Sequence, residues 1–209
     1  MNRKQVGILL FENIEVLDFC GPFEVFTVTR LNEEKRRQKL SPFNVILIAE
    51  NKGPVVTQGG MKVLPDYDFN DCPVLDILVV PGGWGTRKEM ENELLIKWIA
   101  DRSRQVETLT SVCTGALLLG KAGLLDGKRA TTHWRSLDWM QELFPNTTVE
   151  KQLHFVEDGT LITSAGISAG IDMSLKVVSR YFGEAIARAT AKHMEYPFPE
   201  NNARRISLT

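Results

Sequence analysis

A cysteine lies at a predicted boundary between a strand and a helix. Residues 107–112 are typical of a buried strand, and Cys113-Thr114-Gly115 leads directly into an apolar helix. Ser111 and Gly115, two positions either side of Cys113, match the spacing of a nucleophile elbow, which predicts strained backbone angles there. The helix dipole and backbone N–H groups would stabilise a thiolate and lower the thiol pKa. We interpret Cys113 as a nucleophile, with a buried structural cysteine as the alternative.

Two adjacent glycines follow another predicted central strand, in Pro81-Gly82-Gly83-Trp84-Gly85. Without side chains, they let the backbone approach a ligand and aim N–H groups at a developing negative charge, as an oxyanion hole requires. A tight turn is the alternative interpretation, and Trp84 would either wall a pocket or cap the loop. Phosphate binding is disfavoured, because neither Gly-x-Gly-x-x-Gly nor Gly-Lys-Ser/Thr follows.

Asp18 is an isolated acid in the apolar stretch Leu17-Asp-Phe-Cys-Gly-Pro22, shortly after the first predicted strand. A carboxyl in such surroundings is costly unless it is paired or its pKa is raised. The local residues favour a helix cap over a general acid or base. His133, in Ala-Thr-Thr-His-Trp134, is interpreted either as a base for the thiol or as a structural histidine.

The remaining cysteines and histidines form no recognisable site. Cys20, Cys72 and Cys113 are widely spaced without a Cys-x-x-Cys pair, which argues against disulfides and zinc knuckles. We predict Cys20 to be a packing residue, Cys72 a turn residue, and His154 and His193 surface residues. No metal-ligand spacing links the histidines, so no metal site is expected.

Composition and charge narrow the class of protein. The chain has 209 residues, 43% hydrophobic and 24% charged, which is typical of a globular protein and predicts one domain over residues 1–209. Twenty-five Lys and Arg against 26 Asp and Glu leave a net charge of −1, so we expect no nucleic-acid partner. The apolar runs are too short to cross a bilayer and the amino terminus shows no cleavage site, so we expect a cytoplasmic protein without a membrane partner.

Short β-rich runs alternate with amphipathic segments along most of the chain, which predicts an α/β fold with a doubly wound, mostly parallel sheet and helices on both faces. We predict strands over 6–11, 43–49, 77–80, 107–112 and 129–132, hairpins over 55–64 and 154–164, and helices over 14–29, 89–102, 116–121, 137–144, 169–181 and 184–193. Pro22 suits a helix's first turn, and Asp158-Gly159 a hairpin turn. The charged stretch 32–39 is predicted to be a frayed helix end and solvated loop, and the chain from about residue 196 an irregular tail.

These segments resemble the ThiJ/PfpI superfamily, with its class I glutamine amidotransferase-like, flavodoxin-type fold. The resemblance extends from Gly7-Ile-Leu-Leu-Phe11 to Glu195-Tyr-Pro-Phe-Pro199. The motifs similar to the isonitrile hydratase branch are Leu17-Asp18-x-x-Gly21-Pro22, Pro81-Gly82-Gly83, Ser111-Val-Cys-Thr-Gly115, Ala122-Gly-Leu-Leu-Asp-Gly-Lys-Arg-Ala-Thr-Thr-His-Trp134 and Ala165-Gly-Ile-Ser-Ala-Gly-Ile-Asp172. The resemblance implies a flavodoxin-like sheet, a small-molecule substrate, a homodimer and no cofactor.

The hydratase resemblance also implies a reaction. A cysteine attacks the terminal carbon of an isonitrile, an aspartate handles the proton, and the resulting thioimidate adds water to release an N-substituted formamide. Carried over by motif, Cys113 would be the nucleophile, Asp18 the general acid/base and Thr114 an orienting residue.

The same resemblance implies which residues surround the reacting atoms. The N–H groups of Gly83 and Thr114, with Gly82 beside them, would line an anion-stabilising pocket. Ile167 would pack near the nucleophile and its helix. His133 leaves a Cys-His arrangement open.

Other functions stay open on the sequence. The amidase-like domains of AraC-type transcription regulators are similar in the same stretches, which suggests a non-enzymatic ligand sensor. Those regulators need a carboxy-terminal helix-turn-helix, and only 16 residues follow the last predicted helix. A low-pKa cysteine also suits an oxidation sensor. Glyoxalase- and deglycase-like branches place a glutamate near the cysteine, so Asp18 argues against them, and the Asp-x-x-Gly-Pro motif argues against the ring-forming proteases.

Overall fold

The computed structural model describes residues 2–208. Its strands are β1 (Lys4–Leu9), β2 (Phe43–Ala49), β3 (Val55–Val56), β4 (Lys62–Val63), β5 (Tyr67–Asp68), β6 (Ile77–Val80), β7 (Thr108–Val112), β8 (Arg129–Ala130), β9 (Thr148–Val149), β10 (Phe155–Asp158) and β11 (Leu161–Ser164). Its helices are α1 (Val16–Val28), α2 (Thr86–Glu89), α3 (Glu93–Ser103), α4 (Gly115–Lys121), α5 (Leu137–Leu143), α6 (Ala169–Phe182) and α7 (Glu184–His193), with a 3₁₀ turn over Trp134–Ser136.

A seven-stranded sheet in the order β10-β11-β7-β6-β1-β2-β5 forms the centre of the protein. Every neighbouring pair is parallel except β10 and β11. The long parallel strands β2-β1-β6-β7-β11 follow the order 2-1-3-4-5, which is that of flavodoxin-like sheets. The predicted fold class is therefore confirmed.

Helices cover the sheet on its two faces, which explains the apolar strands. All residues of β6 and β7 are buried, so these strands are continuous runs rather than alternating patterns. Helix α1 packs with α6 and α7, while α4 packs with α2 and α3. The bounds of β2 and β6 agree with the prediction, and the charged stretch 32–39 contains turns and no helix.

The structure corrects two details of the predicted helices. Pro22 lies inside α1 rather than in its first turn, and the helix continues because the missing N–H affects only the bond to the Asp18 carbonyl. The helix predicted over 89–102 is confirmed over 93–102 as α3, but its predicted start is wrong. Helix α2 ends at Glu89, and the Asn92 side chain then caps α3 by accepting the Leu95 N–H at 3.2 Å. A side-chain cap starts a new helix here instead of extending the first.

Two short strands are missed, and one hairpin turn is displaced. A two-residue strand shows no hydrophobic period, so the pattern does not reveal β5 or β9. The strand predicted over 129–132 is reduced to β8, which pairs with β9 outside the main sheet. Asp158 pairs with Leu161, so the second hairpin turns at Gly159-Thr160, with Gly159 at a φ of 65° in the first turn position.

The tail after α7 is irregular, as predicted, and it is anchored to the body. Ala203 forms a bridge with Leu153, and the Arg204 side chain donates to the Lys151 carbonyl and the Thr131 hydroxyl at 2.7 and 2.8 Å. Arg205 pairs with the buried Asp172 carboxylate. Across residues 2–208, we find no helix with the length and apolar character needed to span a membrane.

Candidate active site

Asp18, Gly82 and Cys113 follow three neighbouring strands. Strand β6 lies between β1 and β7 and is parallel to both, so the carboxyl ends of the three strands meet at one edge. Ligands of open α/β sheets bind at this edge. Backbone bonds join the loops there, since the Glu15 N–H donates to the Gly82 carbonyl at 2.9 Å and the Gly85 N–H to the Asn13 carbonyl at 3.1 Å.

The Cys113 backbone adopts the predicted strained conformation, with a φ of 57°. Its N–H donates to the Ala165 carbonyl at 3.1 Å, and its carbonyl accepts the Thr132 hydroxyl at 2.7 Å. A Cβ at Gly115 would lie 2.0 Å from the Val80 carbonyl oxygen, so only glycine fits after the turn. Surrounding contacts thus hold a left-handed, non-glycine residue in place, which is typical of functional sites.

Asp18 is fully buried behind the cysteine. Its Oδ2 accepts the Gly82 N–H at 3.0 Å, and its Oδ1 has no hydrogen-bond partner among residues 2–208. The carboxyl does not cap its own helix, because Glu15 holds the N-cap position and Asp18 bonds across to another loop. The helix-cap interpretation favoured by the local residues is therefore wrong.

The ionisation of the two side chains is coupled. Burial raises the pKa of Asp18 from an ordinary value of 3.8 to about 7, opposed by the Gly82 N–H and supported by the charge of Glu15. Burial, and then the negative charge of Asp18, raises the pKa of Cys113 well above its usual value. The N–H groups of Thr114 and Ile167 oppose that rise. The expectation that the helix terminus lowers the pKa of Cys113 is therefore wrong for the free protein. Desolvation of the thiolate raises this pKa by more than the helix terminus lowers it.

The two glycines position the catalytic candidates rather than presenting free donors. The Gly82 N–H is bonded to Asp18, and the Gly83 N–H donates to Thr114 Oγ1 at 3.0 Å. The Thr86 hydroxyl donates to the same Thr114 oxygen at 3.1 Å. A Cβ at Gly82 would lie 2.5 Å from the Thr114 nitrogen and 2.9 Å from Asp18 Oδ2. The backbone N–H groups that face the sulfur are those of Thr114 and Ile167.

Ile167 lies beside the nucleophile, as the resemblance implies, and contributes its backbone. Its φ is 55°, a second left-handed residue in the site, and its N–H stabilises charge on both Cys113 and Asp18. A Cβ at the preceding Gly166 would lie 2.1 Å from the ring of His133. This close packing sets the position of the Ile167 loop.

A cleft of about 550 Å³ leads to the Cys113 sulfur. Its lining residues are Glu15, Gln58, Gly83, Trp84, Arg87, Cys113, Thr114, His133, Arg135, Ser136, Trp139 and Ile167. Trp84 is 61% exposed and lines the cleft, which agrees with its interpretation as the wall of a pocket. Gln58, Arg87, Arg135 and Trp139 are missed by sequence reasoning, because no motif surrounds them and distant segments bring them together.

One of the three histidines lies in a different place from that predicted. His133 lines the cleft, its Nδ1 accepts the Arg135 N–H at 3.3 Å, and burial lowers its pKa, so the ring is neutral. No hydrogen bond joins it to Cys113 among the described residues. The surface prediction for His154 is wrong, since His154 is buried with Nε2 3.2 Å from Asp172 Oδ2. His193 is exposed, as predicted.

The other two cysteines lie outside the site and are free. Cys20 is half-buried in α1 and packs against the core, as predicted, while Cys72 is buried in a loop. Within residues 2–208, no group of three or more His, Cys, Asp and Glu side chains is arranged to hold a metal ion.

The fold and the site define a flavodoxin-like α/β protein in which a cysteine on a left-handed turn faces a buried carboxyl. The chain belongs to the DJ-1/PfpI family, whose model matches residues 4–180. A solved structure described as a ThiJ/PfpI family protein from Pseudomonas syringae superposes with a TM-score of 0.82 at 31% identity, covering 97% of this chain and 79% of that one. Drosophila melanogaster DJ-1beta shares the fold, with a TM-score of 0.76 at 22% identity over 94% of this chain and 100% of that one.

Curated relatives include both an enzyme and regulators. Isonitrile hydratase of Pseudomonas putida is 38% identical over 192 residues, which cover 92% of this chain and 78% of the relative. The HTH-type transcriptional regulator GbdR of Pseudomonas aeruginosa is 28% identical over 93% of this chain. This chain spans 51% of that regulator's length. The resemblance stated from the sequence is confirmed at the level of the family.

Proposed function

We propose that the protein is an isonitrile hydratase that converts an isonitrile and water into an N-substituted formamide through a thioimidate on Cys113. The observation that carries the proposal is the buried pair of Asp18 and Cys113 at the end of an apolar cleft. The similarity to the Pseudomonas putida isonitrile hydratase supports this reaction over others in the family.

The first half of the reaction forms the thioimidate. Asp18 takes the Cys113 proton as the sulfur attacks the terminal isonitrile carbon. Attack leaves an electron pair on that carbon, and Asp18 returns the proton to the same atom. One carboxyl with a pKa near 7 suits both transfers, since it accepts and donates a proton with little penalty. The buried pair carries a single negative charge before the attack and after it.

The second half adds water. Asp18 removes a proton from water as its oxygen bonds to the thioimidate carbon, and that proton passes to the imine nitrogen. The tetrahedral adduct then expels the Cys113 sulfur, which recovers its proton from the hydroxyl as the formamide carbonyl forms. The sum is one isonitrile and one water consumed and one formamide released, with the protein unchanged.

The surrounding groups support these steps. The N–H groups of Thr114 and Ile167 stabilise the sulfur whenever it carries negative charge. Gly82 holds the Asp18 carboxyl, and Gly83 holds Thr114 through its hydroxyl. We assign Cys113 and Asp18 as catalytic residues.

The remaining site residues lie outside the proton transfers. Thr114, Gly82 and Gly83 position the reacting groups, and His133 and Ile167 form walls of the cleft around the substrate. Each site residue predicted from the sequence thus has a role in this proposal, and Gly82 and Gly83 act by positioning the reacting groups.

Hydration of cyclohexyl isocyanide tests the proposal. Wild-type protein is compared with Cys113→Ala, Asp18→Asn and the control Cys20→Ala, whose cysteine lies outside the cleft. N-formamide is followed by mass spectrometry. We expect turnover by wild type and Cys20→Ala, none by Cys113→Ala, and a loss of about 10²-fold to 10⁴-fold in Asp18→Asn, the usual contribution of a general acid/base.

Failure of the folded, reduced wild type to hydrate this isonitrile would contradict the proposal and favour a carbonyl-type electrophile or a ligand sensor. An oxidation sensor is disfavoured by the raised pKa of Cys113, because the thiolate is the readily oxidised form. The homodimer and the cytoplasmic location implied or expected from the sequence stay predictions.

A further inference from the structure

Arg87 is held between two indole rings inside the cleft. Its guanidinium carbon lies 4.4 Å from the centroid of Trp84 and 5.4 Å from that of Trp139. Contact with the rings occupies the faces of the guanidinium and leaves its N–H edge for a ligand. Among residues 2–208, no carboxylate forms an ion pair with Arg87. The cleft therefore contains an oriented cation without a counterion.

The other charged groups of the cleft do not neutralise this cation. Arg135 also lines the cleft without a carboxylate partner among the described residues, and its guanidinium lies 4.8 Å from the Trp134 ring centroid. Glu15 is the one acid among the lining residues. The amide of Gln58, oriented to satisfy its neighbours, donates to the Glu15 carboxylate at 3.2 Å and accepts the Trp84 indole N–H at 2.9 Å. The lining residues therefore carry two cations and one engaged anion, and the Asp18 carboxyl lies behind Cys113 rather than among them.

The size and shape of the cleft exceed the needs of an isocyano group. A volume of about 550 Å³ is within the range of sites for drug-sized ligands, and Trp84, Trp139 and Ile167 give its walls apolar surface. A planar guanidinium fork pairs with a carboxylate through two parallel hydrogen bonds. A substituent that is apolar near the sulfur and anionic at its far end matches both the walls and the charge.

We propose that the substrate of this site is an isonitrile whose substituent carries a carboxylate, bound by Arg87 between Trp84 and Trp139 while the isocyano carbon reaches Cys113. This inference rests on the proposed hydratase function. It adds the substrate class and makes Arg87 a specificity-determining residue.

The kinetic test uses 4-isocyanobenzoate and its methyl ester. The two compounds differ only at the end opposite the isocyano group, where the acid is charged and the ester is neutral. Wild-type protein is compared with Arg87→Gln, Arg87→Lys and the control Lys88→Gln, whose exposed cation does not line the cleft. We expect wild type to prefer the acid over the ester. Arg87→Gln should lower kcat/KM for the acid by about tenfold to a hundredfold, mainly through KM, and lower it much less for the ester.

The lysine variant separates charge from geometry. Arg87→Lys should restore part of the lost kcat/KM, because it keeps the cation and loses the fork. Equal kcat/KM for acid and ester in wild type, or no effect of Arg87→Gln on the acid, would overturn the inference and leave the hydratase reaction intact.

A binding measurement distinguishes the two proposals. Titration calorimetry with 4-formamidobenzoate and its methyl ester measures the carboxylate contact without turnover, in Cys113→Ala and in Cys113→Ala with Arg87→Gln. Weaker binding of the acid in the double variant supports carboxylate recognition even if no isonitrile is hydrated, in which case only the proposed reaction fails. Equal binding of acid and ester by both proteins counts against the recognition of a carboxylate.

Discussion

The ionised Asp18 carboxyl raises the pKa of the Cys113 thiol, and the protonated thiol in turn lowers the pKa of Asp18. Because both groups are buried, they titrate as a unit. At neutral pH the thiol keeps its proton, and the carboxyl, with a pKa of about 7, is divided between its acid and carboxylate forms. The reactive arrangement is a thiol beside a carboxylate. The sulfur gives up its proton only when it attacks a substrate. Between turnovers the cysteine therefore remains a thiol, which is less reactive than a thiolate.

The Asp18 carboxyl makes the stability of the protein depend on pH. Its folded pKa of about 7 exceeds the ordinary 3.8, so the folded state binds this proton more tightly than the unfolded state. Its stabilising effect is complete below pH 3.8 and is lost as the pH rises to about 7. The loss is on the order of 4 kcal/mol, from three pKa units at 1.36 kcal/mol each.

Asp18→Asn should remove this dependence. Urea unfolding from pH 4 to pH 8 should show wild type losing stability relative to the variant as the pH rises. Glu24→Gln, an exposed acid of the same helix, serves as the control and should follow wild type. The same change of unfolding free energy with pH in wild type and Asp18→Asn would contradict the raised pKa of Asp18.

Alkylation of Cys113 by iodoacetamide should be faster in Asp18→Asn than in wild type at pH 8. The variant lacks the negative charge that opposes thiolate formation, so a larger fraction of the thiol is ionised. The expected increase is severalfold, measured by mass spectrometry of the Cys113 peptide, with Cys20 as the internal comparison. Slower alkylation in the variant would instead mean that Asp18 activates the thiol toward all electrophiles.

Gly82→Ala should disrupt the site without a change in chemistry at any catalytic atom. The new Cβ would lie within 3 Å of the Thr114 nitrogen and hydroxyl and of Asp18 Oδ2. We expect a loss of about 1–3 kcal/mol in the free energy of unfolding, typical of overpacking, and at least about tenfold in kcat. Gly59→Ala, where a Cβ meets nothing within 4 Å, should change neither quantity. Equal losses of stability and kcat in Gly82→Ala and Gly59→Ala would argue against the close packing around Gly82 as their cause.

Asp172→Asn should release the carboxy-terminal tail. Asp172 is buried and accepts the Tyr196 hydroxyl at 2.7 Å, besides its contacts with His154 and Arg205. Removing its charge weakens the contacts with Arg205 and Tyr196, and because water solvates the exposed arginine we expect a loss of about 1–2 kcal/mol in the free energy of unfolding. We expect faster trypsin cleavage after Arg204 and Arg205, with the exposed Asp126→Asn as the control. Unchanged cleavage would mean that the other tail contacts suffice.

Local sequence was sufficient where a feature depends on neighbours along the chain. The bounds of β2 and β6 agree with prediction because each is a continuous apolar run between turn residues. The elbow at Cys113 was visible for the same reason, since its small flanking residues and the change from strand to helix lie within five positions. The two-residue strands β5 and β9 escaped prediction because they are too short to show a period.

Asp18 and His154 show where local reasoning fails. The nearby residues favour a helix cap for Asp18 and a surface position for His154. Both are buried, because their partners come from other segments: Gly82 is 64 residues from Asp18, and Asp172 is 18 from His154. A buried polar group is stable only with such a partner, and no sequence pattern announced either one.

Residue types and spacing established the alternation of strands and helices, the carboxyl edge where ligands bind, and the cysteine at its turn. The tertiary structure decided which groups share that edge and how they ionise. Desolvation and charge interactions depend on distances between segments far apart in the chain, so the protonated state of Cys113 and the placement of Arg87 between two indole rings exist only once the sheet and its loops have assembled.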